Sequence, residues 1–249
     1  GKPSGKVLEL EVNGSHFFFI PRHGVGHSIA PSEINYRANI YALKTLGVKT
    51  TISVSAVGSL KDEHAPGKFV LVDQFIDWTK GLRKRTFFEE GVVGHVSCAV
   101  PVNLDLRDRI GKVLGTTNIE YSTGGSYLCI EGPQFSTQAE SGIYRSFKAD
   151  VVGMTNVPES FLAKEAGMAY ATVAMVTDYD CWKDEHCTVE DIMKVMSENY
   201  KSASEMLLKL IPDLVNSPVK FETENKYAVV TNPDLVSSKQ NEIISKLLS

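Results

Sequence analysis

The chain has 249 residues, 43% hydrophobic and 22% charged, proportions ordinary for one globular α/β domain of this length. Its 26 basic and 30 acidic side chains leave a formal net charge of -4, which offers no electrostatic basis for nucleic-acid or membrane-surface binding and favours a small-molecule partner. No apolar run approaches the ~20 residues that span a bilayer, and the opening GKPSGKVLELEVNG lacks a secretory signal's apolar stretch, so a soluble, cytoplasmic protein is expected, or a nuclear one in a eukaryote.

In chain order, apolar and β-branched runs predict strands at 7–12, 16–21, 50–57, 68–76, 126–132, 150–155 and 171–178. Helical spacing appears over Pro31–Leu46, Leu104–Leu114, Thr137–Phe147, Pro158–Ala166, Thr188–Leu210 and Ser238–Leu248. This alternation predicts a single domain over 1–249: a central mixed, largely parallel sheet flanked by helices. Residues 217–234 are polar and irregular, and the final helix is expected to pack on the body or on a neighbouring subunit. Cys98, Cys129, Cys181 and Cys187 form no CxxC pair, so reduced thiols are expected, with a Cys181–Cys187 bridge the one alternative.

Ligands of such sheets gather where strands end, which directs attention to five segments. Pro21-Arg22-His23-Gly24-Val25-Gly26-His27 follows an apolar strand and suits an anion site, since its glycines allow backbone N–H groups close approach; an exposed turn is the plainer reading. His23 and His27 are spaced for metal only on a helix, which the glycines oppose. Ser55-Ala56-Val57-Gly58-Ser59 offers hydroxyl and amide donors, or merely close packing. Phe135 and Ser136 precede Thr137 and Glu140, spaced as a capping box, and Phe135 suits stacking on a heterocycle. Met154 and Thr155 precede a helix start that favours an anion or is simply capped. Asp178 and Asp180 follow ATVAMV; acids beside so apolar a strand are solvated turn residues or working groups with raised pKa, able to protonate a purine N7 and to accept from an exocyclic amine.

The blocks PRHGVGH, INYRANIYALKTLGV, VSAVGSL, FVLVDQFID, GHVS, CIEGPQFST, VVGMTNVPES and LAKEAGMAYATVAMVTDYDCW closely resemble the 5'-methylthioadenosine phosphorylase branch of the trimeric purine nucleoside phosphorylase family, from Gly1 to about Pro212. The resemblance implies phosphorolysis of 5'-methylthioadenosine to adenine and 5-methylthioribose 1-phosphate, in purine and methionine salvage, by a homotrimer with inorganic phosphate as co-substrate and no metal or organic cofactor. It implies phosphate binding by Arg22, His23, Ser55, Ala56 (through its backbone N–H) and Thr155. Phe135, Ser136 and Met154 would flank base and ribose, Asp178 would serve N7, and Asp180 the 6-amino group. Val189, Ile192 and Met193 would line an apolar pocket for the methylthio group, and His95 would come from an adjacent subunit.

The sequence departs from the family in lacking its first strand and glycine-rich turn of the GIIGGSG kind, so an N-terminally incomplete domain is expected. Where relatives often read RHGRGH and GPRFSTRAES it has Val25, Gln134 and Gln138, which predicts a raised phosphate Michaelis constant. The alternatives are a related phosphorylase of broader purine specificity and a non-catalytic nucleoside-binding homologue.

Overall fold

A computed structural model describes residues 1–12, 14–183, 188–221 and 224–248. Strands β1 (Leu8–Val12) and β2 (Ser15–Phe19) form an antiparallel hairpin separate from the main sheet. The main sheet contains β3 (Thr50–Ser59), β4 (Phe69–Leu71), β5 (Gln74–Trp78), β6 (Tyr121–Thr123), β7 (Ser126–Ile130), β8 (Val151–Gly153) and β9 (Ala169–Tyr179), in the spatial order β5-β7-β8-β3-β9-β4-β6.

Its spine is β3 beside β9, paired in parallel from Thr50↔Ala169 to Ser59↔Tyr179. Strand β9 is buried on both faces, because its side chains alternate between two helical layers. Ala171, Val173 and Met175 pack with Leu106, Ile110, Met206 and Leu210, whereas Tyr170 packs with Tyr36, Ile40, Leu162 and Ala163. The helices are α1 (Tyr36–Thr45), α2 (Leu104–Leu114), α3 (Gln138–Ser146), α4 (Asn156–Glu165), α5 (Val189–Asn216) and α6 (Ser238–Leu247).

The run at 68–76, expected as one strand, is two: β4 pairs with β9 and β6, while β5 lies at the opposite edge beside β7. Only Val72 and Asp73 join them, and so short a link between distant positions requires the sheet to curl until its edges approach. Gly124 and Gly125, both at positive φ, make the same crossing between β6 and β7. A Cβ at Gly125 would lie 2.7 Å from Asp150 Cγ, so glycine is required there.

Caps set the helix starts. Helix α1 begins at Tyr36, later than the expected Pro31, because Asn35 accepts from the Ala38 N–H at 3.2 Å. Thr137 and Glu140 form the expected capping box. Helix α5 runs past the expected end at Leu210 and through Pro212 to Asn216, with Leu214 packed against the α2 and α5 core. Helix α6 packs back on α1, Leu247 and Ile243 joining the Tyr36 cluster. Cys98, Cys129 and Cys181 are free thiols; Cys187 lies outside the described residues. No helix among them is long and apolar enough to cross a membrane.

Candidate active site

The mixed sheet shapes the site. Strand β8 runs antiparallel to β3 and pairs with it only at Gly58↔Val152 and Ser59↔Val151, so beyond these pairs the two diverge. The candidate residues therefore do not gather at one carboxyl edge of the sheet. Ser55 and Ala56 stand within β3, and Asp178 within β9.

Where β3 and β8 diverge, Ser55 Oγ lies 3.3 Å from Thr155 Oγ1 and 3.2 Å from the Tyr127 hydroxyl. Thr155 makes no side-chain cap to α4, so its hydroxyl serves this cluster rather than the helix. Ala56, next along the strand, is exposed. Arg22 reaches in from the loop after β2: Nη2 donates to Ser53 Oγ at 2.5 Å and Nη1 to the Val54 carbonyl at 3.3 Å. Its other bonds go to Glu159, Nε to Oε2 at 2.6 Å and Nη2 to Oε1 at 2.7 Å. Four of its five N–H donors thus point at protein acceptors. Burial opposes both charges, and each is kept ionised by the other.

His23 Nδ1 lies 2.9 Å from the Ile29 carbonyl, so this nitrogen carries the proton and Nε2 is left as an acceptor. Burial lowers its pKa despite that bond. Its ring stacks on His27 with centroids 4.2 Å apart, a face-to-face pairing rather than a chelate. Among the described residues no group of three or more His, Cys, Asp or Glu is arranged to hold a metal ion.

Gly58 is in register with Asp178, three residues along β3 from Ser55 and so ~10 Å away. A Cβ there would touch Asp178 Oδ2 and Asp180 Cβ, both at 3.5 Å; glycine leaves the space beside the carboxylates open. Desolvation raises the pKa of Asp178, with a bond from Thr177 Oγ1 at 2.6 Å opposing and Asp180 adding to the rise. Desolvation also raises that of Asp180, against the hydroxyls of Ser141 and Ser136. Asp180 is 7% exposed, and its Oδ2, with Ser136 Oγ and Ser141 Oγ, is buried without a well-formed hydrogen bond. A carboxylate oxygen and two flanking hydroxyls that are not fully hydrogen-bonded suit a ligand that brings its own donors.

The walls come from the loops after β7 and β8. Gly132 has φ +67°, and a Cβ there would fall 2.4 Å from Met154 Sδ, so glycine lets Met154 close against the β7 exit. Phe135 is 67% exposed, available for stacking. Val189 and Met193 are exposed on the first turn of α5, with Ile192 half-buried beside them. His95 is exposed on the loop between β5 and α2, its N–H tied to the Ala228 carbonyl at 2.8 Å, and it makes none of the contacts that join the residues above. A cavity of about 780 Å³ between α1, residues 82–90 and α6 contains none of these candidates. Sequence reasoning missed Glu159, Tyr127, Ser141 and Arg83, buried polar residues whose value lies in contacts distant along the chain; the Pro158-Glu159 pair at a helix start was the one visible signal.

A curled α/β sheet that sets hydroxyl donors and a cation ~10 Å from two desolvated acids is an arrangement suited to binding an anion and a heterocycle together. The chain belongs to the Phosphorylase superfamily, whose sequence profile matches residues 2–212. It is 52% identical over 221 residues to the S-methyl-5'-thioadenosine phosphorylase of Hyperthermus butylicus, covering 88% of this chain and 80% of that one. A methylthioadenosine phosphorylase from an antarctic soil metagenomic library superposes with TM-score 0.94 at 40% identity, covering 100% of this chain and 89% of the other. A variant adenosine/methylthioadenosine phosphorylase from Schistosoma mansoni, in complex with methylthioadenosine, matches with TM-score 0.81 at 33% identity over 98% of this chain and 87% of its own.

Proposed function

We propose that the chain is an S-methyl-5'-thioadenosine phosphorylase, cleaving 5'-methylthioadenosine with inorganic phosphate to adenine and 5-methylthioribose 1-phosphate. The observation that carries the assignment is the pair of half-buried Asp178 and buried Asp180, both with raised pKa, ~10 Å along the spine from the hydroxyls of Ser55 and Thr155.

In this reading phosphate sits against Ser55, Thr155, the Ala56 N–H and the free N–H of Arg22. His23, neutral with Nε2 bare, accepts a hydrogen bond from a hydrogen phosphate's O–H rather than adding charge. The phosphate oxygen bonds to C1' as the glycosidic bond breaks, and the bond's electrons pass to the purine. Protonated Asp178 donates to N7, making the leaving group neutral adenine, while Asp180 Oδ2 accepts from the 6-amino group. Positioning and fixed charge supply the acceleration, so the step needs neither metal nor organic cofactor. Phe135, Ser136 and Met154 flank base and ribose, and Val189, Ile192 and Met193 face the methylthio group. A homotrimer supplies His95 from the neighbouring subunit, and the reaction serves purine and methionine salvage in the cytoplasm.

Adenine release from purified protein given 5'-methylthioadenosine, with and without phosphate, is the test. Phosphate-dependent release is expected; adenine binding without turnover would replace the assignment with that of a nucleoside-binding homologue.

A further inference from the structure

Arg83 lies on the loop between β5 and α2, and its side chain is 1% exposed. All five of its guanidinium N–H groups are engaged. Nη1 donates to the carbonyls of Met154 at 2.7 Å and Val157 at 2.6 Å. Nη2 donates to those of Ile130 at 3.3 Å and Glu131 at 2.8 Å. Nε meets Glu131 Oε1 at 3.1 Å and Ser32 Oγ at 3.3 Å. Two carbonyls belong to the β7 exit, which leads into Phe135 and Ser136; two belong to the segment after β8, where they bracket Thr155 and Asn156. Adjacent parallel strands hydrogen-bond only up to Cys129↔Gly153, and beyond that pair Arg83 bridges the two loops, with the Cys129 thiol 3.6 Å from the Val157 carbonyl beside it.

We infer that Arg83 is a positioning residue that fixes the distance between the loops holding the purine and ribose, thereby setting nucleoside affinity without touching substrate. This rests on the phosphorylase assignment only for its kinetic readout. The geometry demands arginine: a planar fork spans four carbonyls on two loops, whereas a lysine ammonium has three donors at a single point. Glu131 balances the buried charge and accepts from the Lys80 N–H at 2.6 Å, so the same unit ties residues 80–83 beneath the site.

The test compares wild type, Arg83→Lys, Glu131→Gln and the remote core variant Leu114→Ala, Leu114 being fully buried on α2. For Arg83→Lys the Michaelis constant for 5'-methylthioadenosine is expected to rise about tenfold, within what a sub-ångström misplacement costs, with that for phosphate changing less than about threefold. Glu131→Gln is expected to shift it in the same direction by less, and keeps the proposal testable if the lysine variant fails to fold. Amide hydrogen exchange in Arg83→Lys should quicken at residues 130–136 and 153–157 beyond the chain-wide change, a measurement that stands whether or not the wild type turns over. If Arg83→Lys and Leu114→Ala lower Tm alike, leave the nucleoside Michaelis constant unchanged and show no selective exchange at those segments, Arg83 is a fold residue only and the inference is overturned. A wild type that releases no adenine would instead remove the assignment, leaving the exchange result to decide Arg83.

Discussion

Glu159 grips Arg22 at two points, at 2.6 and 2.7 Å, with side-chain exposures of only 9% and 15%. The Tyr170 hydroxyl donates to the same carboxylate at 3.0 Å and accepts from Asn156 Nδ2 at 2.5 Å, so the candidate anion site rests on a buried polar network rather than on a free cation. Removing one partner of a buried pair leaves the other unpaired and typically costs ~3–5 kcal/mol. Glu159→Ala is therefore expected to lower the urea midpoint markedly and to raise the phosphate Michaelis constant, because Arg22 loses the anchor that aims its remaining N–H. An unchanged phosphate Michaelis constant would remove Arg22 from the anion site.

Asp178→Asn should separate stability from activity. The carboxyl's folded pKa is raised, so ionising it in the folded state carries a penalty that begins above the unfolded value of ~3.9 and is complete above the folded pKa. The amide escapes this penalty. The variant should melt higher than wild type at pH 7 to 8, with the gain shrinking as pH falls through the folded pKa, while turnover drops by ~10²–10⁴ as for a lost general acid. Calorimetry and adenine release across pH check both halves; a lower Tm at pH 8 contradicts the burial argument.

Asp150 carries the opposite sign. Burial works against its charge, yet bonds from His64, Lys61 and the Ser126 N–H hold its pKa down at about 2. The group stabilises the fold above the unfolded value of ~3.9, and this contribution is lost as pH falls through the folded one. Urea midpoints of the wild type should fall between about pH 4 and 2, and Asp150→Asn should be weaker than wild type at pH 6 but show a shallower decline in that window.

Features with a local signal were legible in the sequence. Asp178 and Asp180 stood out against ATVAMV, and Thr137 with Glu140 announced a helix start. The crossing at Val72 and Asp73 did not, because two residues between apolar segments look like one continuous strand unless the curl is known. Nor did the site's place within β3 rather than after it, since β3 continues to Ser59 through small polar residues that read as a turn. Arg83 and Glu159 were hidden for a different reason. Their partners lie as far as 74 and 137 positions away, and a charged residue gives no local sign that it is buried.

Three positions where the resemblance implies a cation are uncharged. Val25 is 86% exposed on the turn after β2, and Gln134 and Gln138 are exposed near the β7 exit. Val25→Arg should lower the phosphate Michaelis constant at low ionic strength and lose most of that benefit near 1 M salt, where the screening length is about 3 Å. Salt-independent improvement would indicate a direct contact instead of long-range attraction.

Asp180 should decide which purine is used. Its Oδ2 is buried without a well-formed hydrogen bond, and under the proposed function it accepts from the 6-amino group of adenine; a 6-oxo purine would set two acceptors against each other in a desolvated space, a mismatch that costs far more than a missing methyl group. Asp180→Asn replaces one acceptor by an NH₂ donor at nearly constant volume, and the hydroxyls of Ser136 and Ser141, which lie beside it without well-formed hydrogen bonds, can turn to suit either orientation of the amide. The variant is therefore expected to lose kcat/KM for 5'-methylthioadenosine by about 10² or more while gaining phosphorolysis of 6-oxo nucleosides such as inosine. Competition between the two substrates in one reaction reads the ratio directly. If both activities fall together, Asp180 supports the fold of the loop rather than reading C6, and the basis for purine choice must lie with Phe135 or Met154.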